Sequence, residues 1–204
     1  LNNKNRSKYQ IKAGIDLGIV EPFTMVVLNK HDKVSALYTA NAQIKRLNLK
    51  RERLIKERHC ILGKCDAYVH LGLDAAKLSC EAKCKRNKIT ILGKEIAHLI
   101  AADVSRKLIK HDMNIVNVED LRWVKGRTYG GRWNHSAQQE CIAHSLAREG
   151  IAVKKVNACN TSQECSRCGK IVKHNAQTRM AYCPSCKLKR DRDVNAAINI
   201  AKRS

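Results

Sequence analysis

Four cysteines stand in two pairs near the C-terminus, Cys165-x2-Cys168 and Cys183-x2-Cys186. Each pair can wrap a knuckle turn around one ion, and four thiolates close a tetrahedral shell that leaves no position for water. The spacing therefore predicts a structural Zn²⁺ rather than a catalytic one. Just beyond this clasp lie Asp191 and Asp193, embedded among Lys187, Lys189, Arg190 and Arg192. Two more acids interrupt apolar runs, Asp16 in "IKAGIDLG" and Glu119 in "NIVNVEDL". An unpaired charge at such a place is costly. Carboxylates that converge from separate elements can hold two Mg²⁺ ions about 3.5–4 Å apart, an arrangement suited to phosphodiester hydrolysis. Taken singly, Asp16 suits a turn cap, Glu119 a lysine pair, and Asp191 or Asp193 a helix cap. The conjunction carries the metal reading.

The other six cysteines offer less. Cys80 and Cys84 lie one helical turn apart and resemble half a site, while Cys60, Cys65, Cys141 and Cys159 show no metal spacing. They read as buried or surface thiols.

The charge balance narrows the partner. Against 18 Asp and Glu stand 40 Lys and Arg, a net charge of +22 over 204 residues. Self-repulsion of that size fits a polyanionic partner, and phosphate backbones are the usual one. No run of 18 apolar residues exists, so no membrane span is expected. The opening "LNNKNRSKYQ" has no signal-peptide pattern. Ten cysteines without such a signal point to a reducing compartment, and the expected setting is cytoplasmic and nucleoid-associated. Oligomeric state is not legible.

The elements that must position these groups follow from periodicity. Ile11, Ala13, Ile15 and Leu17 alternate with Lys12, Gly14, Asp16 and Gly18, a period-two strand over 11–18. "FTMVVL" (23–28) and "VSALY" (34–38) read as strands joined by a polar turn, so the chain opens on three antiparallel strands. Residues 41–90 carry 13 Lys and Arg against 5 Asp and Glu and read as basic helices. Lys45, Arg46, Lys50, Arg51 and Arg53 are candidates for phosphate contacts there; a solvated helical face is the plainer alternative. A stripe of Ile96, Leu99, Ile100, Val104 and Leu108 predicts an amphipathic helix over 94–110. A buried strand over 114–121 follows, ending at Glu119. "KGRTYGGRW" is a glycine-rich loop, read as a mobile lid or an ordinary surface loop. Ser136 with Gln139 forms a capping box, and Gly150 a stop, for a helix over 137–149. Residues 151–156 make another strand and 193–203 a closing helix. An RNase H-like sheet has acids on its first strand, at the end of its fourth and on a late helix. Asp16, Glu119 and Asp191 or Asp193 occupy those places.

The segments "GIDLG", "NVEDL", "NTSQECSRCG", "YCPSC" and "RDVNAA", in that order, resemble the C-terminal half of the TnpB (OrfB) family. These are insertion-sequence proteins related to compact type V CRISPR effectors. The likeness spans about residues 11–203 and is densest in 160–200. It implies an RNA-guided DNA endonuclease with a RuvC domain that uses two Mg²⁺ ions, its partners DNA and a guide RNA. Carried over, the catalytic acids are Asp16, Glu119 and Asp193, the last because it directly precedes "VNAA"; Asp191 is then accessory or a cap. The zinc ligands are Cys165, Cys168, Cys183 and Cys186. Lys187 stands where the family usually has glycine. The basic residues Lys187, Lys189, Arg190 and Arg192 are expected to face the nucleic-acid strand.

The expected fold is thus α/β, an RNase H-like (RuvC) mixed sheet with flanking helices and an inserted four-cysteine zinc ribbon. The expected division is a nuclease core over 9–160 with a basic helical insertion at about 41–93, a ribbon over 161–190 and a closing core helix over 191–204. Two other readings fit the same residues. One is a nucleic-acid-binding protein without cleavage, such as a guide-dependent repressor or a bare zinc-ribbon module. The other is a decayed transposase remnant.

Overall fold

The computed structural model describes residues 11–121, 135–175 and 177–203. The "KGRTYGGRW" loop lies outside the described residues. β1 (Lys12–Leu17), β2 (Phe23–Leu28) and β3 (Val34–Thr39) form the expected antiparallel meander. β4 (Ile115–Asp120) runs parallel to β1, and β5 (Ala152–Asn157) parallel to β4. The order across this sheet is β3-β2-β1-β4-β5.

Strand periodicity sorts side chains onto two faces, and both are covered. On one face Ala13, Ile15 and Leu17 of β1, Phe23, Met25 and Val27 of β2, and Val116 and Val118 of β4 form the main core. Ile96, Ile100, Val104 and Leu108 close it from α2 (Ala76–Leu108), and Ile142 and Leu146 from α3 (His135–Arg148). On the other face Val26 and Leu28 meet Ala197, Ile198 and Ala201 of α4 (Arg192–Lys202). β2 is apolar apart from Thr24 for this reason: both its faces are buried.

The approach of α4 to the sheet is close. A Cβ on Gly14 would come within 2.2 Å of the Ala197 carbonyl oxygen and 2.4 Å of the Ala201 nitrogen. Asn117 secures the far end of α4, its Nδ2 donating to the carbonyls of Ile200 (3.0 Å) and Arg203 (2.7 Å).

Between β3 and β4 the chain makes a long helical hairpin. α1 (Ala42–His70) starts at Asn41, whose side chain accepts from the Ile44 N–H at 3.0 Å. Its 29 residues extend about 43 Å. Ile61 and Cys65 of α1 pack on Ala82 of α2 in a satellite core. The helix expected over 94–110 is in fact the second half of α2, which runs unbroken from Ala76. Gly93 does not interrupt it, because it is buried within the helix and a helical glycine costs only about 1 kcal/mol.

Ser136 lies inside α3 rather than capping it, and Gln139 has a different duty, described below. Gly150, at φ +72°, ends α3 as expected: its N–H donates to Ala147 O at 3.1 Å, and that of Ile151 to Leu146 O at 2.9 Å. After β5 comes a small three-stranded antiparallel sheet of β6 (Lys173–His174), β7 (Met180–Tyr182) and β8 (Lys189–Asp191), in that order. Its core is Cys165, Val172, Ala181, Cys183 and Leu188.

Candidate functional site

Period two settles where the first two acids stand. Ile15 and Val118 are paired neighbours in the main core, so Asp16 and Glu119, one residue further along parallel strands, stand on the face that α4 covers. α4 supplies Asp193 in its first turn. Burial pushes the Asp16 carboxyl well above the ordinary carboxylate range, and the negative charges of Glu119 and then Asp193 add to it; Arg192 and Arg179 oppose the rise. Asp16 thus feels the charge of two acids that lie far from it in sequence.

Glu119 is 8% exposed, and burial raises its pKa too. The Thr161 hydroxyl, donating to Oε1, and the Arg203 guanidinium hold it back. The Glu119 carbonyl accepts from Gln139 Nε2 on α3. Asp193 is gripped by Arg179, whose Nη2 lies 2.8 Å from Oδ1 and 2.6 Å from Oδ2. Asp191 caps α4: its Oδ1 accepts from the N–H groups of Asp193 (2.9 Å) and Val194 (3.1 Å). Among the described residues the three acids do not all lie within 4.8 Å of one another, as the four cysteines do. Carboxylate oxygens gathered in a largely buried setting, with Asp16 repelled by the other two acids, are nevertheless the chemistry that suits hard cations such as Mg²⁺.

The cysteines form a tighter group. Sγ of Cys165 lies 3.5 Å from that of Cys186, and Sγ of Cys168 lies 3.6 Å from that of Cys183. A tetrahedral Zn²⁺ with Zn–S bonds of about 2.3 Å needs sulfur–sulfur edges of about 3.8 Å, so the group fits the ion. The two knuckles repeat one geometry. Cys165 N–H donates to Lys170 O and Gly169 N–H to Cys165 O, both at 2.8 Å; Cys183 N–H donates to Leu188 O and Lys187 N–H to Cys183 O, both at 2.9 Å. Gly169 (φ +73°) and Lys187 (φ +60°) both adopt the left-handed conformation that closes the turn. The Cys186 N–H holds the Cys183 thiol down to about 6, towards the thiolate that binds metal.

The basic candidates divide. Arg46, Lys50 and Arg53 are exposed on α1, as are Lys187, Lys189 and Arg192 around the ribbon exit. Lys45 pairs with Glu21 at 2.8 Å, and Arg190 donates to Ser166 Oγ at 2.8 Å. Arg51 departs from the expected exposed face: it is only 8% exposed, on the buried stripe of α1, with its guanidinium 3.6 Å from Glu52. Helical phase, 3.6 residues per turn, turns it inward. Arg179, Thr161 and Gln139 were not legible as site residues. For Thr161 the "NTSQ" segment was the available signal; Arg179 reaches Asp193 only because the β6–β7 hairpin folds back over α4.

A mixed α/β fold with an open sheet, acids on one of its faces, a closing helix across that face and a clustered four-cysteine site resembles RuvC or RNase H-like domains. Residues 135–200 match the family described as the Cas12f1-like TNB domain. Over 214 aligned residues the chain is 25% identical to the CRISPR-associated endodeoxyribonuclease Cas12f1 of an uncultured archaeon, covering 94% of this chain and 37% of that protein. It is 32% identical to the TnpB-like protein MJ0751 of Methanocaldococcus jannaschii, over 52% of this chain and 41% of that one. Solved structures agree in fold. A Cas12f1–sgRNA–target DNA complex superposes with a TM-score of 0.69 at 22% identity, covering 97% of this chain and 51% of that one. A CRISPR-Cas12f ternary complex gives 0.66 at 25% identity, covering 100% and 41%. The chain is similar to TnpB-like and Cas12f-type CRISPR-associated proteins. It spans about a quarter to two fifths of the length of these curated relatives. Among the described residues, no helix is long and apolar enough to cross a membrane.

Proposed function

We propose that this chain is the metal-dependent DNA-cleaving portion of a TnpB-type, RNA-guided protein. The observation that carries the reading is the placement of Asp16 of β1, Glu119 of β4 and Asp193 of α4 on one side of the sheet, where Glu119 and Asp193 both act on the Asp16 charge. In this reading the three carboxylates hold two Mg²⁺ ions, which when bound supply an activated water and charge stabilisation at the leaving oxygen. Asp16 and Glu119 contribute negative charge at a buried point, Asp193 closes the third side, and Arg179 stands ready to meet a phosphate once Asp193 turns to metal. The four cysteines hold one structural Zn²⁺. The exposed basic residues of α1 and of the ribbon exit bind nucleic-acid backbone; relatives whose structures contain sgRNA and target DNA support that assignment. The division into a core over 9–160, a ribbon over 161–190 and a closing segment over 191–204 belongs to the same reading.

The direct test is Mg²⁺-dependent cleavage of single-stranded DNA by the zinc-loaded chain, with Asp16→Ala alongside. Cleavage that Asp16→Ala abolishes is expected; cleavage that survives it would overturn the assignment. One observation favours a second reading. The chain is also 27% identical to a CRISPR-associated DNA-binding protein, Cas12m of Allomeiothermus silvanus, over 58% of its length. Salt-sensitive DNA binding with no Mg²⁺-dependent cleavage would select this alternative.

A further inference from the structure

Glu119 is held at two points by groups outside the acid trio. Gln139 fixes its carbonyl, and the Thr161 hydroxyl fixes one carboxylate oxygen, Oε1. Thr161 is only 3% exposed, so water does not compete freely for that bond. The terminal torsion of a glutamate is broad and roughly two-fold. Without a partner on Oε1, the buried carboxylate would sample many orientations; with one, Oε2 is left as the free donor in a set direction.

Thr161 is in turn tied to the helix that bears the third acid. Its carbonyl accepts from Asn199 Nδ2 at 2.8 Å. Asn199 and Asn195, one turn apart on α4, both donate to Glu164 O, at 2.8 and 2.7 Å. Asn195 Oδ1 accepts the Ser166 N–H at 2.9 Å. The stretch 161–166 therefore rides on α4, and any shift of that helix reaches Glu119 through Thr161. Asn195 is wholly buried and Asn199 is 9% exposed, so their amides have been taken from water to make these bonds.

We propose that Thr161 is a positioning residue for Glu119, its hydroxyl holding Oε1 so that Oε2 is presented to the metal ions, with Asn199 keeping Thr161 in step with α4. This rests on the nuclease reading above for the identity of the metal ions. Partners of metal-ligating groups outside the ligand set typically control metal affinity by about 10- to 100-fold.

The test uses the zinc-loaded full chain, with Mg²⁺ binding followed by calorimetry and DNA cleavage followed as a function of Mg²⁺ concentration. Thr161→Val, which keeps the shape and removes the hydroxyl, should weaken Mg²⁺ binding by about tenfold or more. It should raise the Mg²⁺ concentration for half-maximal cleavage in step, while the rate at saturating Mg²⁺ falls much less. Thr161→Ser should restore both values; should Thr161→Val fail to fold, Thr161→Ala against Thr161→Ser makes the same comparison. Thr161→Val that binds Mg²⁺ like the native chain overturns the proposal, as does Thr161→Ser behaving like Thr161→Val. A native chain that binds Mg²⁺, shows the Thr161 effect and cleaves nothing would sink the nuclease reading and leave the positioning role standing. Native cleavage with no Thr161 effect does the reverse. A native chain that takes up no Mg²⁺ overturns both.

Discussion

The cysteine cluster and the acid cluster are both metal-site candidates, yet they are built in opposite ways. The four cysteines fall within Cys165–Cys186, and two short turns suffice to bring their sulfurs within 4.8 Å of one another. The three acids come from β1, β4 and α4, and none of those elements holds its acid near another unless the whole sheet is in register. One site is local in sequence and geometrically closed; the other is non-local, and its charges oppose assembly. Repulsion among desolvated carboxylates is a cost of folding that a cation removes, whereas in the zinc reading a thiolate shell is itself part of what folds the small cysteine-bearing sheet. Damage to the first should therefore unfold structure, and damage to the second should relieve it.

The largest effect belongs to the cysteines. Structural zinc contributes on the order of 10–16 kcal/mol of apparent binding energy. Cys183→Ser should abolish stoichiometric zinc in metal analysis and unfold the ribbon, with loss of protection at residues 161–191 in hydrogen exchange. Cleavage should vanish with it, because Arg179, Thr161 and the start of α4 all depend on the ribbon. A zinc-free variant that melts like the native chain would erase the contrast.

Asp16 should behave in the opposite sense. Its folded-state pKa is raised by burial and by Glu119 and Asp193. The protonated folded form is then favoured, so this group's contribution to stability is full below the unfolded pKa, near 3.8, and is lost as pH rises through the folded value. Without divalent cations, stability should decline from about pH 4 upward for this reason. Asp16→Asn should flatten that decline and raise the metal-free melting temperature at pH 7, by about 2–4 °C for each kcal/mol relieved. Mg²⁺ should raise the native melting temperature and not that of Asp16→Asn. A variant that melts lower and keeps the native pH slope would show that no repulsion is stored there.

The same contrast explains what could be read from the chain. Local patterns were legible: the alternation in 11–18, the C-x2-C pairs and the left-handed stop at Gly150 all depend on near neighbours. The acids were placed by element order together with a family resemblance, because nothing local says that Asp16 meets Glu119. What was missed is non-local without a pattern. Arg179 is one arginine among many until the hairpin folds over α4. Gln139 looked like half of a capping box because its true partner, the Glu119 carbonyl, lies on another element. Arg51 is indistinguishable in sequence from its exposed neighbours, since a stripe of mixed apolar and basic residues hides the phase of a long helix. The continuity of α2 is not legible in the sequence because the charged stretch before Gly93 resembles a break.

Asp191 offers a smaller and sharper test of which acid belongs to which cluster. Its Oδ1 accepts two backbone N–H groups at the start of α4, an N-cap. Asparagine caps a helix about as well as aspartate, and alanine does not. Asp191→Asn should leave stability and cleavage near native, while Asp191→Ala should cost about 1 kcal/mol and reduce cleavage modestly by loosening Asp193. Asp193→Asn, by contrast, should nearly abolish cleavage without lowering the melting temperature. If Asp191→Asn were as damaging as Asp193→Asn, the metal role would have to move to Asp191.

The smallest expected effect lies in the second knuckle and probes how closed the cysteine site is. Gly169 and Lys187 occupy equivalent places, each just after the second cysteine of its pair and each at positive φ. Glycine takes that conformation freely; a residue with a Cβ is strained there by about 1–2 kcal/mol. Lys187→Gly should remove the strain but enlarge the conformational freedom of the unfolded chain, which returns about 0.4–1 kcal/mol. The net gain should be about 0.5–1 kcal/mol, visible as a rise in melting temperature of about 1–4 °C. Zinc should also leave more slowly in a chelator challenge, because the turn that holds Cys183 and Cys186 no longer works against its own backbone. Lys187 is also one of the exposed basic residues at the ribbon exit, so DNA binding should weaken slightly and its salt dependence fall by about 0.7–0.9 in log–log slope if that side chain contacts a phosphate. A more stable ribbon with unchanged salt dependence would remove Lys187 from the nucleic-acid face and leave it a knuckle residue alone. A Lys187→Gly ribbon that releases zinc faster would mean that the lysine side chain, not the turn, protects the cluster.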